Sequence, residues 1–185
     1  MAHVFDPDAL HEVARELVGV PYEDLFSAAA SRLERLAPGH VEHRCNWIFN
    51  NAGGAMGQLA LLHASLSEYI ILFGSPIGTE GHSGRYRTEV YDFQIAGETW
   101  CYLEGEMQRT VYKPGDVMYL GAAQVKGYRI PDFSWMLEYA RGPIPTMLPF
   151  GLADTLTSTL DLRNFGRTFW NYGRLTVREL LKGKI

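Results

Sequence analysis

Trp135-Met136-Leu137-Glu138-Tyr139-Ala140-Arg141-Gly142 has the alternation and aromatic content of a β-strand. Glu138 is its discordant residue. Among Met136, Leu137 and Tyr139, a carboxylate is costly unless something compensates it, although a strand glutamate can also simply point to water from a polar face. The rest of the chain reads as a container for this acid.

From Trp47 onward the chain consists of short runs rich in aromatic and β-branched residues, separated by Gly, Pro and Asn. The candidate strands are 45–50, 58–64, 67–74, 85–95, 98–104, 107–112, 117–120, 124–130 and 134–140. Many short strands in a row predict a barrel or a jelly roll, because closure removes the exposed edges. Lys113-Pro-Gly-Asp116 predicts a tight turn of the kind cupin-like barrels use.

Upstream, Asp6-Pro7 is an N-cap followed by Pro at the first helical position, and Leu10, Val13, Leu17 and Val18 recur at helical spacing up to Gly19. Pro21 opens a second predicted helix, with Leu25, Phe26, Leu33 and Leu36 inward and Pro38-Gly39 at its end. Both are expected to cover a sheet. Downstream, Pro143, Pro145 and Pro149 precede helices over 148–160 and 162–182. In the second of these, Arg163, Arg167, Arg174 and Arg178 fall in one sector of the wheel and Phe165, Phe169, Tyr172 and Leu180 in another. Such a basic amphipathic helix can pack on a barrel mouth, lie on an anionic membrane surface, or do both as a lid.

The expected fold is α+β and mainly β. One domain spans 1–185: a helical cover at 1–40, a cupin-like barrel or jelly roll at 45–142, and two C-terminal amphipathic helices at 143–185 covering the barrel mouth. At 185 residues and 46% hydrophobic, the chain can bury a substantial core. Cys45 and Cys101 are too few for a disulfide framework and read as small core residues. Met1-Ala-His-Val-Phe-Asp-Pro7 lacks the basic and apolar regions of a signal peptide, and no apolar run reaches the length of a membrane span, so a cytoplasmic protein is expected. The net charge of −4 is uneven, because residues 163–185 set Arg163, Arg167, Arg174, Arg178, Lys182 and Lys184 against Glu179 alone. That tail suits an anionic lipid surface, and no nucleic-acid motif accompanies it.

Several long motifs carry a resemblance: Asn51-Ala-Gly-Gly-Ala-Met-Gly57, His63-Ala-Ser-Leu-Ser-Glu-Tyr-Ile-Ile-Leu-Phe-Gly74, Gly81-His-Ser-Gly-Arg-Tyr86, the Glu138 strand, and Leu148-Pro-Phe-Gly151 with Ser158-Thr-Leu-Asp-Leu162. Together they resemble the family of sterol delta8-delta7 isomerases and the sigma-1 receptor, from about Val4 to the C-terminal helices. Thr79-Glu80-Gly81-His82 and Leu148-Pro-Phe-Gly151 look like the isomerase branch, Gly84-Arg85-Tyr86 and Tyr139-Ala-Arg-Gly142 like the receptor. Family members begin with a transmembrane helix and this chain starts after it, which implies a soluble or peripherally membrane-bound protein. In the family the loop matching Gly53, Gly54 and Gly57 is associated with oligomer formation, which implies a homotrimer. From the residues alone these glycines lack a phosphate-loop signature, and close backbone approach is their expected use.

The resemblance places the second carboxylate at Asp92, with Glu89 as its rival. Val90 and Asp92 share one strand face, Glu89 and Tyr91 the other. It also puts Tyr69 within hydrogen-bonding reach of Glu138 and implies a pocket lined by Leu61, Phe73, Val90, Ile130, Trp135, Leu148, Gly151 and Tyr172, with Glu80 and His82 as further candidates. Ala55 and Ile130 stand where the receptor has Trp, which implies a different ligand outline. His82, Gly84 and Glu89 fall where a metal-binding cupin places two His and a Glu, but Gly84 offers no ligand and no His follows Gly115 to complete the set. A barrel without metal or other cofactor is expected, with His82 either structural or polarising the pocket.

Moving a double bond requires a proton delivered to one carbon and another removed nearby. An unactivated alkene is a poor base, so the donor must be a carboxylic acid that stays protonated near neutral pH, which burial and a second carboxylate both favour. Aromatic faces, Tyr69, Phe73, Tyr86, Phe93, Trp135, Phe169 and Tyr172 among them, can shield a carbocation. The functions in view are an isomerase acting on a sterol or related isoprenoid, a protonation-initiated terpenoid cyclase, and a non-catalytic binder of lipophilic amines; the first two would be inhibited by cationic amphiphilic amines.

Overall fold

The computed structural model describes residues 3–184. Met1 and Ala2, which begin the N-terminal stretch read for a signal peptide, lie outside the described residues, as does Ile185. Helix α1 (Pro7–Leu17) starts as its sequence dictates: the Asp6 carboxylate accepts hydrogen bonds from the Asp8 and Ala9 amides at 3.0 and 3.1 Å, and Pro7 fills the first turn. Helix α2 (Leu25–Leu36) begins later than Pro21, because Pro21 to Asp24 form a turn in which the Asp24 amide donates to the Pro21 carbonyl at 3.0 Å.

The strands are β1 (Ile48–Ala52), β2 (Ala55–Ala64), β3 (Glu68–Ser75), β4 (Thr79–His82), β5 (Glu89–Gly97), β6 (Thr99–Leu103), β7 (Thr110–Tyr112), β8 (Val117–Leu120), β9 (Lys126–Ile130) and β10 (Ser134–Arg141). They form two antiparallel sheets, ordered β1-β2-β3-β10-β5-β8 and β4-β9-β6-β7, which face each other as a jelly roll. Strand β4 has no apolar alternation to announce it; its pairing with β9 creates it. Strand β5 starts later than the predicted residue 85, since the preceding loop crosses to the Ala123 amide, which donates to the Tyr86 carbonyl at 2.6 Å.

Helices α1 and α2 cover the outer face of the larger sheet. Leu10, Leu17, Leu25 and Leu33 pack there on Ile70, Leu72, Phe93, Leu137 and Tyr139 to form the main core. Period-two alternation sends the intervening residues of these strands to the interior between the sheets. Of the glycines at the β1–β2 hairpin turn, Gly53 serves a close approach within the chain. Gly53 and Gly54 have φ of 60° and 85°, a Cβ on Gly53 would meet the His82 carbonyl oxygen, and the His82 amide donates to the Gly53 carbonyl at 2.9 Å.

After a 3-10 turn (Ile144–Thr146) come α3 (Leu148–Thr157) and α4 (Leu162–Leu181), whose residues cover the mouth of the interior. The arginine stripe of α4 is largely occupied by protein. Arg174 pairs with the buried Glu42, Arg178 lies 3.9 Å from the same carboxylate, and Arg167 donates to Asn46 and to the Trp47 carbonyl at 2.9 Å. The aromatic stripe splits: Tyr172 is buried, while Phe169 and the adjoining Trp170 are exposed. Among the described residues no helix is long and apolar enough to cross a membrane.

Candidate active site at the floor of the cavity

Strand β10 lies between β3 and β5, and its inward residues are Met136, Glu138 and Ala140. The register sets Glu138 opposite Ile71 on one side and Asp92 on the other. Directly opposed side chains in antiparallel strands have Cβ atoms about 5 Å apart, so the two carboxyl groups are neighbours by construction. Tyr69 faces the small Ala140, and its hydroxyl reaches across to donate to Glu138 Oε1 at 2.5 Å. From the opposite sheet, the first residue of β9, Lys126, extends its ammonium to Asp92 Oδ2, both side chains being buried.

These groups sit in a cavity of about 200 Å³. Leu59, Leu61, Ile71, Phe73 and Met136 form an apolar wall; Tyr86 and Tyr128 add rings; Leu148, Phe150, Gly151 and Tyr172 close the mouth. Glu138, partly accessible, presents that surface to this cavity. Burial, and next the Asp92 charge, push the Glu138 carboxyl from an ordinary 4.5 up to about 7, against the opposing pull of the Tyr69 hydrogen bond and Lys126. Burial, the largest single effect, lowers the Lys126 ammonium, but the charge and hydrogen bond of Asp92, with smaller help from Cys101 and Glu138, together outweigh it and the value is raised. Tyr69 is raised by burial and then by Glu138, so it remains a neutral donor.

Among the described residues Asp92 Oδ1 is a buried oxygen without a hydrogen-bond partner.

Leu61, Tyr69, Phe73, Val90, Asp92, Glu138, Leu148, Gly151 and Tyr172 all line the cavity, as does His82, whose Nδ1 accepts from the Gly84 amide at 2.9 Å. Trp135 does not. It alternates with Leu137 and Tyr139 onto the helix-covered face, where it meets Trp47 edge-on at 5.4 Å. Ile130 is buried behind the wall, packed with Ile48, Leu59, Phe73 and Met136 rather than lining it. Glu80 is exposed on β4, 3.8 Å from Arg129. Glu89 is on the other face of β5, held by Arg141 at 2.5 Å and Tyr119 at 2.8 Å, so it cannot join Glu138. Among the described residues no group of three or more His, Cys, Asp or Glu is placed to share a metal ion. Sequence reading missed Lys126; the signal was a lysine in strand period with Tyr128 and the buried Ile130.

A jelly roll that keeps its interior hollow, with a neutral-range carboxyl at the bottom of the hollow, is a small-molecule-binding protein equipped for proton transfer. Comparison with known proteins narrows the class. The chain belongs to the family described as ERG2 and Sigma1 receptor like protein, which matches residues 1–184. It is 43% identical over 188 residues to the C-8 sterol isomerase of Neurospora crassa, covering 98% of this chain and 73% of that one. With the C-8 sterol isomerase ERG2 of Gibberella zeae it is 40% identical over 190 residues, 99% of this chain and 79% of the relative. Among solved structures, a predicted oxalate decarboxylase from Thermotoga maritima aligns with a TM-score of 0.46 and 15% identity, over 53% of this chain and 91% of that one.

Proposed function

We propose that this chain is a cofactor-independent isomerase that shifts a ring carbon–carbon double bond of a sterol or related isoprenoid. The observation that carries the reading is the Glu138 carboxyl, raised to about 7 beside Asp92 in an apolar cavity. The names of the fungal relatives support the sterol as substrate class and disfavour a cyclase or a non-catalytic amine binder.

Protonated Glu138 donates to one alkene carbon, the π electrons forming the new C–H bond and leaving a cation on the adjacent carbon. The Glu138 and Asp92 carboxylates and the faces of Tyr69, Phe73, Tyr86 and Tyr128 stabilise that cation. Loss of a proton from the next carbon to a carboxylate forms the shifted double bond, so one proton enters and one leaves. Tyr69 aims Glu138, and the mouth helices keep water from trapping the cation.

Incubation with a panel of sterols, analysed for products of unchanged mass, tests the reading. Glu138→Gln should reduce turnover about 100- to 10,000-fold, as loss of a general acid does. Near-normal turnover by that variant would remove Glu138 from the role.

Cationic amphiphilic amines are the expected inhibitors, since an ammonium in an apolar body imitates the cation. The same reading puts the protein in the cytoplasm, meeting its lipid substrate at a membrane surface through the exposed Phe169, Trp170 and Leu181 of α4. Flotation with lipid vesicles checks that contact. By family resemblance it assembles as a homotrimer, which sedimentation equilibrium would establish or refute.

A further inference from the structure

Among the described residues lining the cavity, Lys126 is the only lysine or arginine. Its backbone is clamped by one partner: the Lys126 amide donates to Ser83 Oγ and the Ser83 amide donates to the Lys126 carbonyl, both at 3.0 Å. A buried ammonium is weak evidence of a stabilising role, because apolar residues of similar volume often fill such a site as well. Its placement suits the carboxyl pair instead. Among the described residues the ammonium pairs with Asp92 Oδ2, Asp92 Oδ1 is buried without a partner, and Asp92 stands directly across from Glu138 in the strand register.

We propose that Lys126 is a positioning residue that fixes the shared proton of the pair on Glu138 by holding Asp92 as its carboxylate. The proposal rests on the reading of Glu138 as the proton donor. With lysine, the resting site is neutral overall: ammonium, carboxylate, carboxylic acid. Donation then leaves a single net negative charge opposite the substrate cation. Without lysine, donation would create two adjacent uncompensated carboxylates, so Glu138 would be a poorer acid and Asp92 would compete for the proton. The other ionisable groups near the pair do not take over this task. Tyr69 on β3, Tyr86 in the loop before β5, Tyr128 on β9 and Cys101 on β6 are all raised, chiefly by burial, and stay neutral. His82 lines the cavity beside Phe150 and is tied to Gly84.

Infrared spectroscopy at about pH 6, with selective 13C labelling of Glu or Asp carboxyls, tests the assignment. The acid carbonyl band of the wild type should move with glutamate labelling and stay in place with aspartate labelling. In Lys126→Met, which keeps an apolar stem of similar reach, an aspartate-sensitive component should appear and turnover should fall about 100-fold. Lys126→Arg should restore the wild-type spectrum and most of the rate, a rescue that mere space-filling would not produce. An aspartate-sensitive band in the wild type, or none in Lys126→Met, overturns the proposal; the wild-type spectrum decides it even if the Met variant does not fold. Absence of any acid band in the wild type would overturn the Glu138 reading itself.

Discussion

Glu138 is raised to about 7, and the direction of that shift has consequences for rate and for stability. The acid form acts, so kcat should be level below about pH 7 and fall roughly tenfold per pH unit above it, a profile measurable with any identified substrate. In folding the sign is opposite to that of a salt-bridged carboxylate. Between 4.5 and about 7 the native protein holds a proton that the unfolded chain has released, so stability falls as pH rises through that window. Glu138→Gln removes this dependence and should be more stable than wild type at pH 8, on the order of 3 kcal/mol, but not at pH 4. Urea unfolding at both pH values checks it. The same variant should lose affinity for a lipophilic amine by about 2–5 kcal/mol and change little toward the carbon isostere, because only the amine loses a charge partner. Equal losses in calorimetry would make Glu138 a structural residue.

At the scale of elements, two contacts reach beyond what their sequences announce. The β1–β2 hairpin is held to β4 through Gly53, whose positive φ and close approach to the His82 carbonyl leave no room for a side chain. Gly53→Ala should cost about 1–3 kcal/mol in thermal or denaturant unfolding. Helix α4 is held to residues 40–47 by its arginines, so Arg174→Glu, which sets two carboxylates together at the buried Glu42, should cost about 2–3 kcal/mol, the low end for a pair whose arginine is partly exposed. Charge on this helix cannot be reversed without loosening it. Here the limits of sequence reading are visible. Nine strands and four helices were legible because alternation, capping and proline placement are local; β4 was not, because Thr79 to His82 becomes a strand only through β9. The wheel of α4 located its arginines but could not say that Glu42 would face them.

For the molecule as a whole, the site is a product of register. Alternation along β5 separates Asp92 from Glu89, yet only the pairing of β5 with β10 sets Asp92 beside Glu138, and only the facing of the two sheets brings Lys126 to it. Family resemblance led to the first two residues; the lysine depends on a contact between sheets that no local pattern encodes. Trp135 was misplaced for the converse reason, since counting by twos from Glu138 puts it on the helix side. Removal of the chain after about Leu160 should uncover the cavity mouth, with a large rise in binding of an apolar fluorescent dye and loss of amine binding. The buried carboxylate of Glu68 has a quieter part: its Oε1 takes the Val4 amide at 2.6 Å and the Lys184 ammonium at 2.9 Å, while Oε2 takes the Tyr139 hydroxyl at 2.9 Å. Residues from opposite ends of the chain thus meet on one oxygen, next door to Tyr69 and Glu138. Val4 and Lys184 could therefore be joined by a linker of a few residues and the chain reopened at the exposed Gly105–Met107 turn, giving a circular permutant whose proton-transfer site is left whole.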